Sequence, residues 1–222
     1  MTTRLSRWTF WAQNAKQAVR LFFPDIPICV YCGKELREGC VCLDCLKKAD
    51  ALRIGEDLPF SGFSCRCVFN YGDIVRRLIH RYKFGGERWL SRYMGECLCE
   101  CFAGCDFDIV SYIPLHKKRE RARGFNQVRL LAEIVAEYSD KPCVPLLLRE
   151  RNTPPQSSLE REARLQNVWG AFALLPGVCI SGKRVLLIDD VVTVGATMGE
   201  CVTVLRSAGA RVTCAAFSAA LL

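Results

Sequence analysis

The sequence is poor in histidine, in long apolar runs and in repetition. His80 and His116 are the only histidines in 222 residues, so no histidine-rich metal site exists. No stretch of about 18 apolar residues runs free of charge, which argues against a membrane span. The N-terminus lacks the short apolar core and small-residue cleavage site of a secretory signal. Internal repeats and low-complexity tracts are missing too. No GK[ST] ending supplies a P-loop lysine, and no glycine fingerprint precedes an acid as a dinucleotide fold would require.

What is present suits a single α/β domain with a small appendage. Hydrophobic residues make up 50%, enough for a sizeable core. Lys and Arg number 31 against 23 acids, a net charge of +8 that favours phosphate-bearing partners, although a solvated basic surface gives the same balance. The 15 cysteines are too many and odd in number for a disulfide framework in so apolar a chain. They fit a reducing cytoplasm, with a few metal ligands and many buried thiols.

Three regions follow in order. Residues 1–24 carry Leu5, Trp8, Ala12, Ala15, Val19 and Phe22 at helical spacing, an amphipathic helix closed by Pro24. It docks on the body of the protein or, with Arg4, Arg7, Lys16 and Arg20, lies on anionic lipid. Residues 25–64 are rich in Cys, Gly and Pro with little periodicity, as a small metal module would be. Residues 65–222 alternate strand and helix. Strands are expected at 65–71, 108–114, 144–148, 184–188 and 212–218, and helices at 73–82, 125–138 and 197–208. Strand–helix–strand units of this kind imply a parallel sheet.

In the metal module, Cys29 and Cys32 form one pair two residues apart, Cys42 and Cys45 a second. Two such pairs complete a tetrahedral thiolate site suited to structural zinc, with Cys40 as a spare for Cys42. Cys97, Cys101 and Cys105 would line one helix face, with Cys99 off it, as buried small hydrophobes; a second soft-metal site is the alternative.

The most informative stretch is Val185-Leu-Leu-Ile-Asp189-Asp190-Val-Val-Thr193-Val194-Gly195-Ala196-Thr197. An apolar strand ends in two acids, then a turn with Gly195, then a helix start. Ligands of open α/β sheets bind at such strand ends. A helix N-terminus with Thr193 and Thr197 hydroxyls suits a phosphate; the carboxylates suit a sugar diol or a hydrated Mg²⁺. The bland alternative is a solvated Asp-Asp turn that caps a helix.

This segment resembles the signature of type I phosphoribosyltransferases, which bind phosphoribosyl pyrophosphate (PRPP). The resemblance implies Asp189 and Asp190 as diol ligands and Thr193, Val194, Gly195, Ala196 and Thr197 as the phosphate loop. Val194 stands where the family usually has a second Thr, which removes a hydroxyl but leaves backbone donors. Upstream, His116, Lys117, Lys118, Arg119 and Arg123 read as a cationic strand-end loop that faces the pyrophosphate, or as a solvated basic face. Residues 149–167 occupy the place of the family's mobile hood, where Arg149, Thr153, Gln156, Arg161 and Arg164 would close over substrate; a plain surface loop is the alternative.

A four-Cys module ahead of such a domain resembles the ComF family, associated with bacterial competence. Leu21-Phe-Phe-Pro24, the Cys pairs, Tyr71-Gly72, Ile79-His-Arg-Tyr-Lys-Phe-Gly-Gly86, Ile113–Arg119, Arg123-Gly-Phe-Asn-Gln127, Thr153 with Gln156, and 189–197 carry the likeness. It implies a cytoplasmic protein that handles single-stranded DNA during transformation beside DNA-uptake proteins, with Mg²⁺ accompanying PRPP. A non-catalytic ribose-phosphate and DNA-binding module, or a nucleotide-salvage transferase, are the alternatives. In the binding-module case Tyr82, Phe84, Trp89 and Phe125, interleaved with cations, would contact bases.

Overall fold

The computed structural model describes residues 27–102, 104–151 and 168–220. The expected N-terminal helix at 1–24 and Thr153, Gln156, Arg161 and Arg164 lie outside them. The chain divides into two units, Met1–Ala51 and Leu52–Leu222.

In the first unit, Pro27 to Lys34 folds as a tight turn. Cys29 N–H donates to Lys34 O at 2.8 Å, Gly33 N–H to Cys29 O at 2.8 Å, and Ile28 bridges Glu35. Helix α1, Leu43–Asp50, follows with Asp44 in its first turn and Lys47 and Lys48 in its last, signs that complement the helix dipole.

The second unit is built on a five-stranded sheet ordered β1-β2-β7-β6-β3. The strands are β1 Asp57–Phe60, β2 Phe63–Asn70, β3 Ile109–Tyr112, β6 Arg184–Val192 and β7 Arg211–Ala219. All neighbours pair in parallel except β1, which is antiparallel to β2 at one edge. A separate antiparallel pair joins β4 Leu147–Arg149 to β5 Phe172–Leu174. The helices are α2 Asp73–Phe84, α3 Leu90–Cys101, α4 Lys117–Arg123, α5 Gln127–Ser139 and α6 Ala196–Ser207.

Near-continuous apolar strands follow from burial on both faces. Val185 and Leu187 of β6 face a core with Phe172, Cys201, Val202 and Leu205, beneath α6 and the β4–β5 pair. Leu186 and Ile188, at the alternate positions, are fully buried on the other face, where α3 and α5 pack. The expected parallel-sheet α/β architecture with a separate four-Cys module is thus observed.

Several local expectations change. The metal module was expected to run to residue 64, but the second unit begins at Leu52 and β1 already belongs to the sheet. The basic segment after β3 is helix α4, not a loop; none of its residues is buried, so it has no apolar period to read. Helix α3 ends at Cys101, so Cys105 lies beyond it, and Cys99 is buried like Cys97 rather than facing away. The cysteines of the second unit are free thiols, and Cys65, Cys67, Cys201 and Cys214 sit in one core cluster as small hydrophobes.

Candidate functional site

The paired acids occupy the carboxyl-terminal part of β6, between β3 and β7. Successive side chains on a strand point to opposite faces, so the two aspartates splay. Asp190 turns toward α2 and α5: Lys83 Nζ lies 2.8 Å from its Oδ1, and Gln127 Nε2 donates to its Oδ2 at 2.9 Å. Asp189 follows the Val185–Leu187 side, and its Oδ1 accepts the Asp190 N–H at 2.7 Å. Both are buried, at 9% and 3% exposure, so neither is the solvated turn of the bland alternative. Burial, then the neighbouring Asp190 charge, pushes the Asp189 carboxyl up to about 8, against the lowering fields of Lys83 and Arg149.

Lys83 and Gln127 stood in the sequence without a site role, because their partner is 107 and 63 residues away. Their local supports are specific. Gln127 opens α5, where Asn126 Oδ1 accepts from Val128 N and Arg129 N, and buried Tyr82 donates its hydroxyl to Gln127 O at 2.6 Å. Tyr82 therefore contacts protein, and the expectation that it meets a base fails.

Beyond β6 the chain turns through Thr193 and Val194 to Gly195, in the left-handed region at φ 78°, which caps α6. No side chain caps this helix, whose N-terminus carries the positive end of its dipole. A Cβ on Gly195 would lie 2.7 Å from Phe60 Cδ1, so the β1–β2 hairpin, with Phe60 and Phe63 stacked at 5.1 Å, braces the turn. Val194 packs against the core, which gives an apolar residue a reason to replace a hydroxyl there. Thr193 and Thr197 are half-buried.

Cations gather on the same end of the sheet. His116 caps α4, its Nδ1 accepting from Lys118 N at 3.2 Å. Desolvation and the fields of Arg149, Lys118, Arg119 and Lys117 all lower its pKa. Burial and then Arg119 lower that of Arg149, which feels Asp189 in turn. Lys117 and Lys118 are exposed, Arg119 and Arg123 half-buried. Arg123 lies 5.1 Å over the ring of Phe84, which is 66% exposed, and Arg88 lies 4.6 Å over Phe125. A cavity of about 260 Å³, lined by Asp57, Arg66, Cys105 and Arg206 among others, opens at the opposite end of β2 and β7. Its two acids, Asp57 and Asp106, are each held by an arginine, Arg66 and Arg184, and it has no strand carboxyl end or helix N-terminus, so it is not the candidate site.

In the first unit, Cys29, Cys32, Cys42 and Cys45 bring their sulfurs within 4.8 Å of one another. Cys32 and Cys42 sulfurs are 3.9 Å apart, near the spacing that a tetrahedral thiolate site with metal–sulfur bonds of about 2.3 Å requires. Burial would raise the Cys29 thiol, but backbone N–H donors from Cys42, Cys32 and Tyr31 outweigh it and lower it to about 7. Burial and the three facing thiols push Cys45 up. Four crowded sulfurs with one already tending to thiolate fit a divalent soft-metal ion. Cys40 is outside the group; its carbonyl accepts from Val30 N–H at 2.8 Å.

A mostly parallel sheet with an acid pair at its tip, a helix start without a side-chain cap beside it and four thiols that could hold a metal ion define an open α/β protein with a small four-Cys unit. Among solved structures, adenine phosphoribosyltransferase from Thermoanaerobacter pseudethanolicus is similar with a TM-score of 0.41 and 16% identity, covering 75% of this chain and 83% of that one. Glutamine PRPP amidotransferase from B. subtilis gives 0.38 and 23%, covering 56% and 25%. No family model matches the chain. DNA utilization protein YhgH of Salmonella typhimurium is 35% identical over 95% of this chain and 89% of its own length. Competence protein ComFC of Bacillus subtilis is 30% identical over 77% and 68%, and that of Streptococcus pneumoniae 36% over 68% and 65%. The chain belongs to the ComF family.

Proposed function

We propose that this protein binds PRPP or a related ribose phosphate at the tip of β6 and acts in the handling of single-stranded DNA during natural transformation. The observation that carries the pentose reading is convergence at one sheet end. The carboxylates of Asp189 and Asp190, the uncapped start of α6 and the crowded cations His116, Arg119 and Arg149 meet there. These are the three complements of a sugar diol, a phosphate and a pyrophosphate. Asp189, with the ligand's own oxygens, would hold Mg²⁺, which supplies charge neutralisation when bound. If transfer occurs, Arg119 and Arg149 stabilise the departing pyrophosphate. Among the described residues no side chain beside the aspartates is an evident activator of an incoming nucleophile. The four-Cys group would hold zinc as a structural ion.

Two observations support the DNA part. Relatives of this chain carry the names competence protein and DNA utilization protein. Phe84 stands exposed with the Arg123 guanidinium 5.1 Å from its ring, the pairing of aromatic face and cation that stacks unpaired bases. Among the described residues no helix is long and apolar enough to cross a membrane.

Calorimetric titration of the full chain with PRPP and Mg²⁺ tests the pentose reading. One saturable site is expected, lost in the Asp189→Asn, Asp190→Asn double variant. Binding that persists undiminished in that variant overturns it.

A further inference from the structure

We propose that Gln127 and Lys83 read the 2-hydroxyl of the bound pentose, making the site selective for ribose 5-phosphate units over the 2-deoxyribose 5-phosphate of DNA. The proposal rests on the pentose reading above. Its starting point is an unexplained group: Gln127 is 4% exposed, yet its Oε1 has no hydrogen-bond partner among the described residues. A buried amide oxygen left so is costly, and such an atom in a native site points to a missing donor. The place of the atom is fixed. The same amide gives its Nε2 hydrogen to Asp190 Oδ2 at 2.9 Å, so Oε1 sits one amide width from that carboxylate.

On the other side of Asp190, Lys83 Nζ lies 2.8 Å from Oδ1 and is the most exposed member of the group, its side chain at 20% against 5% for Asp190. A four-carbon stem lets the ammonium shift without backbone movement. A hydroxyl has one hydrogen to give and lone pairs to accept. Gln127 Oε1 takes the hydrogen, Lys83 Nζ donates to the oxygen, and Asp190 keeps lone pairs for either.

Which hydroxyl arrives is set by the splay of the acids. Asp189 lies on the α6 side of the sheet, where the phosphate docks, and Asp190 on the α5 side. In ribose 5-phosphate the 3-hydroxyl is nearer the phosphate and the 2-hydroxyl one carbon further away. The former falls to Asp189 and the latter to Asp190, Gln127 and Lys83. A deoxyribose unit leaves the buried Gln127 Oε1 without its donor, and sites built around a hydroxyl reject ligands that lack it. DNA would then be held elsewhere on the molecule.

The test titrates the full chain with ribose 5-phosphate and with 2-deoxyribose 5-phosphate. The wild type should prefer ribose 5-phosphate by roughly tenfold or more. In Gln127→Met that preference should shrink to within about threefold, through weaker ribose 5-phosphate binding and little change for the deoxy sugar. Equal loss for both sugars would reduce Gln127 to a prop for Asp190 and overturn the proposal. A wild type that binds both sugars alike overturns it without any variant and leaves the pentose reading standing. A wild type that binds neither sinks both.

Discussion

Asp189 and Asp190 are adjacent in sequence but live in different electrostatic worlds. Asp190 has an ammonium at 2.8 Å, whereas burial lifts Asp189 from its ordinary 3.8 to about 8. Between those two values the folded chain keeps a proton that the unfolded chain releases. Stability from this group is therefore present below about pH 4 and lost as pH rises to about 8. Asp189→Asn keeps the acceptor for the Asp190 N–H and removes the titration. Urea unfolding should show the variant gaining on the wild type as pH rises from about 4 to about 8, by at most about 5 kcal/mol; parallel pH curves would refute the shift. Lys83→Met leaves the Asp190 charge buried without its cation and should cost about 3 kcal/mol. Adding Asp190→Asn should recover much of that loss in the same denaturation assay. The acids were legible because two charges break off the apolar run Val185-Leu-Leu-Ile188 just ahead of a glycine turn and a helix start. Lys83 and Gln127 were not, since a hydrogen bond across 107 or 63 residues leaves no local pattern.

Elements were legible in proportion to the apolar surface they bury. β6, β7, α5 and α6 each carry a full face of buried residues, and the sequence marks them within a few positions. α4 buries nothing, and β5 has 3 residues, too few to establish any period. β1 is 4 residues in a hairpin whose Gly62 takes φ 82°, and it passed for part of the metal module. That hairpin matters because Phe60 fills the space beside Gly195. Gly195→Ala would force a Cβ to 2.7 Å from Phe60 in a left-handed conformation, at a cost of about 2 kcal/mol. Phosphate affinity should fall with it, since the turn aims the α6 N–H groups; calorimetry with inorganic phosphate checks this. In the first unit the four sulfurs bring the turn at Cys29 and Cys32 against the start of α1. Metal removal by a chelator should unfold the unit, read as loss of proteolytic protection within residues 27–51. Unchanged protection would show the metal to be dispensable.

For the molecule as a whole, the net charge of +8 and the proposed pentose site make separable demands on a polyanion. The charge attracts any phosphate backbone and is screened by salt, while the site proposed at the β6 tip would require one particular sugar and phosphate. Single-stranded DNA should therefore bind through exposed cations such as Lys117, Lys118 and Arg121, with bases resting on Phe84. Oligonucleotide affinity measured by fluorescence anisotropy should fall steeply with salt, and each phosphate contact removed should lower the log–log slope by about 0.7. Lys117→Gln with Arg121→Gln should flatten that slope. Phe84→Ala should weaken binding by about 1–3 kcal/mol at every salt concentration, because it removes stacking rather than charge. Asp189→Asn with Asp190→Asn removes buried acids that face no DNA backbone, so the affinity and its slope should both survive. If oligonucleotide binding vanished with the acids, the strand and the pentose would compete for one pocket, and the exposed basic surface would be only a solvated face.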